Sequence, residues 1–76
     1  MSVNIFFMDR RGNKIPKTIC LSEKIGKVKA DFKESDNLWR FDGELLKDER
    51  TFISYNIEKD DVITKNSYHV GGINNK

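Results

Sequence analysis

The chain has 76 residues, room for one small domain with one core, since chains of this length bury only about 60% of the surface they expose when unfolded. Hydrophobic residues make up 37% and charged residues 34%, with 14 basic against 12 acidic side chains and a formal net charge of +2. That near-balance supplies no basic field for nucleic acid. One Cys and one His exclude an internal disulfide and a Cys/His zinc site. Nothing approaches the roughly 20 apolar residues of a membrane helix, and Met1 opens directly into a strand-like run without a leader pattern. The expectation is a monomeric, cytoplasmic and/or nuclear domain with no cofactor, metal, nucleic-acid or membrane partner. The chain holds no nucleophile–base pair, phosphate loop or metal cluster, so it is expected not to be an enzyme.

In chain order, Val3, Ile5 and Phe7 alternate with Asn4, Phe6 and Met8, which predicts a strand with one strongly apolar face. Asp9–Asn13 is polar and carries Gly12, a hairpin turn. Ile15–Leu21 forms the second strand, and Pro16, which lacks an N–H, places it at a sheet edge. Ser22 or Glu23 is the expected cap of a helix from Lys24 to about Glu34, with Ile25, Val28 and Phe32 on one stripe. Leu38–Phe41 is a short strand, Asp42-Gly43-Glu44 a turn, and Leu45-Leu46 resumes apolar character. Asp48–Thr51 is a charged loop, Phe52–Ile57 a short helical turn, and Val62-Ile63-Thr64 begins a last strand. From His69 the pattern has no periodicity and reads as a mobile tail. This order describes an α+β domain in which a four- to five-stranded mixed sheet packs one main helix, leaving the other sheet face to solvent or a partner.

The segment Phe41-Asp42-Gly43-Glu44-Leu45-Leu46-Lys47-Asp48-Glu49-Arg50-Thr51-Phe52-Ile53-Ser54-Tyr55-Asn56-Ile57 resembles, without gaps, the stretch F-x-G-x-x-L-x-D-x-R-T-L-x-x-Y-N-I of ubiquitin and the ubiquitin-like modifiers. Ile25-Gly26-Lys27-Val28-Lys29-Ala30 is similar to the family's I-x-x-V-K-x, and Gly71-Gly72 to its C-terminal glycine pair. The resemblance spans residues 3–72, with a deletion near Ser35–Leu38. Glu58–Val62 looks closer to the small ubiquitin-related modifiers. The resemblance implies a ubiquitin-like β-grasp over residues 1–70 with a tail over 71–76. Its core would be Ile5, Phe7, Ile15, Ile19, Ile25, Val28, Phe32, Trp39, Leu46, Phe52, Ile57 and Ile63. Lys17 and Lys65 stand where the family has aliphatic core residues. Burying an unpaired ammonium is costly, so these strands are expected to tilt or end early and let both lysines reach water.

The same resemblance implies a protein modifier joined to target lysines through the Gly72 carboxylate, after cleavage of residues 73–76. Glycine at 71 and 72 suits a chain end that must thread narrow enzyme channels. The implied partners are activating and conjugating enzymes, a processing protease, targets and receptors. The family's docking face carries a Leu/Ile/Val patch; the matching residues here are Arg10, Arg40 and Asn66, so that patch is expected to be lost. A second docking mode is peptide capture between the edge strand and the helix, along Lys17, Ile19 and Lys27. Lys59 is the candidate chain acceptor, Glu44 removes the commonest degradative linkage site, and Lys29 is expected to be structural. Tyr68 and Val70 replace arginines that precede the glycines in ubiquitin, and His69 and Cys20 are expected to be inert. The alternative is a non-conjugated ubiquitin-like interaction domain of a larger protein.

Overall fold

The structure, a computed structural model, describes residues 2–67. Gly71, Gly72 and the expected mobile tail lie outside those residues. Strand β1, Ser2–Met8, pairs antiparallel with β2, Lys14–Cys20. Asp9 builds the turn between them: one carboxylate oxygen accepts from the backbone N–H of Arg11 (2.9 Å) and Asn13 (3.0 Å), and the other from the Asn13 amide. Gly12 closes the turn at φ +85°, a left-handed conformation that glycine adopts without a Cβ penalty. Hairpin and turn are as the sequence predicts, and β2 is an edge strand as Pro16 requires.

Helix α1 runs only Ile25–Asp31, and its entrance departs from expectation. Neither Ser22 nor Glu23 caps it. Lys24 occupies the N-cap position without a side-chain hydrogen bond. Instead the chain returns beside it, bridging Lys24 to Thr51, and two backbone carbonyls take the first orphan donors: Ile25 N–H reaches Arg50 O and Gly26 N–H reaches Asp48 O, both at 2.9 Å. Gly26 permits this approach, because a Cβ there would lie 2.9 Å from Asp48 Cβ. The helix ends early because Lys33 turns left-handed at φ +60°. Lys33 N–H then bonds Ala30 O (3.0 Å) and Glu34 N–H bonds Lys29 O (2.8 Å), the paired bonds of a Schellman ending.

Strand β3, Asn37–Phe41, turns through Asp42 (φ +55°) and Gly43 (φ +81°) into the short β4, Glu44–Leu45. Two consecutive positive φ values are those of a type I′ hairpin, which an Asp-Gly pair favours. A 3-10 turn over Ile53–Tyr55 follows, and β5 spans Val62–Ser67. The strands form one five-stranded mixed sheet in the order β2-β1-β5-β3-β4, with β1 and β5 parallel and every other pair antiparallel. The fold is therefore α+β.

One sheet face and the helix enclose a core of Ile5, Phe7, Ile19, Leu21, Ile25, Val28, Trp39, Leu46, Phe52, Tyr55, Ile57 and Ile63. Two expected core residues differ. Ile15 is 39% exposed, because the helix does not extend over the start of β2, and Phe32 is half-buried at the core margin. Leu21 and Tyr55 take part instead. Tyr55 is anchored by accepting the Lys47 N–H at 2.9 Å. Lys17 reaches outward as expected, its ammonium 5.0 Å from the Phe32 ring centre. Lys65 does not. Strand β5 continues past it to Ser67, and its ammonium is ion-paired to Glu34 at 2.8 Å, so pairing rather than a truncated strand accommodates the charge.

Trp39 has no solvent exposure and packs against Phe7, the rings tilted 59° with centres 4.6 Å apart. Trp39→Ala should lower unfolding free energy by about 3–5 kcal/mol in chemical denaturation, the range for large aromatic cavities. At the helix end, Lys33→Gly should stabilise by roughly 0.5–1 kcal/mol, since glycine meets no Cβ penalty in the left-handed region. A lowered denaturation midpoint for Lys33→Gly would contradict the Schellman ending.

Candidate docking face

Alternation along the strands decides which residues face away from the helix. With Ile5, Phe7, Trp39 and Ile63 in the core, Asn4, Phe6, Met8, Leu38, Arg40, Val62, Thr64 and Asn66 point to the opposite face. The register joins them into rows: Pro16–Phe6–Val62, then Lys14–Met8–Thr64–Arg40–Leu45, then Asn66–Leu38. Phe6, Met8, Leu38 and Val62 are half-buried, and Leu45 is 41% exposed. Among the described residues, none of these outward strand positions is acidic, while Lys14 and Arg40 are basic. The face is thus apolar with basic residues set into it.

The resemblance implied the loss of a Leu/Ile/Val patch at Arg10, Arg40 and Asn66. The face carries apolar residues at other positions, Phe6, Met8, Leu38, Leu45 and Val62. The signal was present in β1, where both alternating sets, Ile5/Phe7 and Phe6/Met8, are apolar; such a strand is apolar on both faces.

Arg10 and Asn66 come together at one end of the sheet, where the Asp9–Asn13 turn meets the start of β3 and the end of β5. With Asp9, Arg11, Asn37 and Lys65 they line a cleft of about 220 Å³. Arg40 does not line it and lies in the next row, opposite Thr64. Beneath the cleft, Glu34 organises the polar atoms. Its Oε1 accepts from Trp39 Nε1 (3.2 Å) and Asn37 Nδ2 (3.1 Å), and its Oε2 from Lys65 Nζ (2.8 Å). Burial alone would raise the Glu34 carboxyl, but the hydrogen bonds from Lys65, Asn37 and Trp39 and the Lys65 charge hold it below the usual range. Asp9 is also held low, chiefly by the Asn13 backbone N–H, then by Arg11.

At the other expected groove the picture is different. Lys17 is exposed on β2, but Ile19 is buried in the core and offers no surface to a peptide; Lys27 is held in an exposed (i, i+4) ion pair with Asp31 at 3.2 Å. Of the three expected groove residues, Lys17 and Lys27 are exposed and Ile19 is buried. Lys29 is 4% exposed and ion-paired to Asp48 at 2.9 Å, a structural lysine, with its ammonium 5.7 Å from the Trp39 ring centre. Lys59 and Glu44 are exposed. Cys20 sits half-buried at the end of β2 with its Sγ 3.2 Å from Ser22 Oγ, and the Ser22 hydroxyl and backbone lower its pKa. Among the described residues, no three His, Cys, Asp or Glu side chains gather as a metal site, and no helix is long and apolar enough to cross a membrane.

No protein-family model matches the chain, and no curated protein sequence matches it.

The Glu34 network carries a pH dependence. The folded-state carboxyl titrates below the unfolded one, so its contribution is fully present above the unfolded value, about 4.3, and is lost as pH falls through the folded value. Glu34→Gln should cost about 1–3 kcal/mol at pH 7 by leaving Lys65 without its counter-charge. In denaturant melts, the gap between the native and Glu34→Gln proteins should narrow as pH drops from 6 toward 3. A gap unchanged across that range would mean that the carboxylate charge contributes nothing.

Proposed function

We propose that the chain is a ubiquitin-like modifier of β-grasp fold, joined to target lysines through Gly72 after removal of residues 73–76. The observation that carries this reading is the sheet itself. Parallel central strands β1 and β5, flanked by β2 on one side and β3–β4 on the other, with one helix over a single face, are what the resemblance to ubiquitin implies. Leu46, Phe52, Tyr55 and Ile57, from the segment that carries the longest resemblance, are all buried in one core. Strand β5, Val62–Ser67, lies shortly before Gly71-Gly72 in the chain.

In this reading the chain is a substrate, not an enzyme, and its chemistry belongs to its partners. A protease hydrolyses the bond after Gly72. The carboxylate attacks the α-phosphate of ATP on an activating enzyme, forming an acyl-AMP and releasing pyrophosphate, and an enzyme thiol displaces AMP to form a thioester. A target lysine amine then displaces the thiol, leaving an isopeptide bond. Receptors read the attached domain through its outer sheet face, in the cytoplasm or nucleus.

The test is a lysate of the source cell supplied with ATP. A form ending at Gly72 should form a thiol-sensitive adduct with an activating enzyme, and Gly72→Ala should slow it at least tenfold. The full chain should react only after cleavage, which mass spectrometry reads as a product ending at Gly72. If both forms are inert in a lysate that conjugates ubiquitin, the modifier reading gives way to a non-conjugated interaction domain.

A further inference from the structure

The cleft between the Asp9–Asn13 turn and the ends of β3 and β5 holds donors that nothing in the fold uses. Its carboxylate, Asp9, is engaged by the turn's own backbone and by Asn13. Its lysine, Lys65, is committed to Glu34, and the Asn37 amide donates to the same carboxylate. That leaves the guanidinium groups of Arg10 and Arg11 and the side-chain amide of Asn66, which among the described residues make no ion pair and no hydrogen bond. Counting Glu34, three cations face two carboxylates, and both carboxylates are already satisfied. The cleft is therefore a net-positive recess with forked donors and no acceptor to fill them.

Its surroundings define what fits. Met8 precedes Arg10 by two residues and Leu38 pairs with Asn66, so half-buried apolar surface borders the cleft on the outer face. No acidic residue occupies an outward strand position among the described residues. A guanidinium fork matches a carboxylate with two parallel hydrogen bonds. A sugar–phosphate backbone would gain little from Met8 and Leu38, and the single surplus charge is small for it.

We propose that this cleft is a carboxylate-recognition site for a partner protein, seating an acidic side chain of an extended segment on Arg10, Arg11 and Asn66 while a neighbouring apolar side chain rests on Met8 and Leu38. The assignment rests on the reading of the outer sheet face as a receptor-docking surface. It names the chemistry of the receptor: a Leu- or Ile-containing segment with adjacent Glu or Asp.

The test is a titration of the isotope-labelled full chain with an acetylated Leu-Leu-Glu-Glu peptide, followed by amide NMR. Shifts should concentrate at Arg10, Arg11, Asn37, Lys65 and Asn66. The Leu-Leu-Gln-Gln peptide should bind at least tenfold more weakly, and Arg10→Glu should weaken the acidic peptide at least tenfold. Lys59→Glu makes the same charge change on an exposed loop outside the cleft and should alter affinity less than twofold. Equal binding of the Gln peptide, equal loss from Lys59→Glu, shifts confined to β2 and the helix, or tighter binding of a short single-stranded oligonucleotide would each overturn the assignment. Thioester formation at Gly72 is read separately, so loss of the cleft with thioester formation intact removes only this site. Peptide binding with no thioester keeps the site and removes conjugation.

Discussion

A single carboxylate, Glu34, ties together parts of the chain that share no local sequence. It stands just past the left-handed residue that ends the helix, and it accepts from the core tryptophan, from the first residue of β3 and from a lysine on β5. Each donor would be a liability alone. A buried indole N–H without a partner and a lysine at an inward strand position both cost free energy, and each is satisfied by the same two oxygens. The helix end, β3 and β5 are thereby held in one relation. The floor of the cleft is made of the same atoms, so the geometry of the candidate site is a consequence of the core.

How much of this could be read from the sequence depends on the range of the interaction. The hairpin around Gly12, a turn at Asp42-Gly43 and the edge position of β2 follow from residues at most a few positions apart, and all were legible; the type I′ geometry of that turn was not assigned. The helix entrance was not. Its first donors are taken by the carbonyls of Asp48 and Arg50, supplied by backbone that no side-chain pattern announces. Lys65 was misread for a related reason: its partner Glu34 lies 31 positions away, and a lysine at a core position looks like a broken strand until the acid is found beside it. Ile15 kept the right alternation but lay beyond the reach of a helix that stops at Asp31.

The outer sheet face shows the same division. Substituting Arg10, Arg40 and Asn66 at the positions of an apolar patch suggests a polar surface, yet Phe6, Met8, Leu38, Val62 and Leu45 carry apolar area across four strands. A partner for such a face needs both character types, whereas an apolar patch alone accepts many partners through burial.

The two margins of the sheet have a further consequence, for behaviour at high concentration. An open strand edge is a template on which another chain can add strand upon strand. Here β4, at one margin, is two residues long, too short to nucleate that growth. The other margin, β2, is seven residues long, but Pro16 interrupts its donors, and Lys14 and Lys17 place like charges where a second copy would align. An aliphatic residue at position 17 would remove one of those charges beside an exposed Ile15, leaving a segment of alternating isoleucines prone to fibrillar stacking. Lys17, where the resemblance implies an aliphatic residue, thus sets a charge on the longest free edge of the sheet.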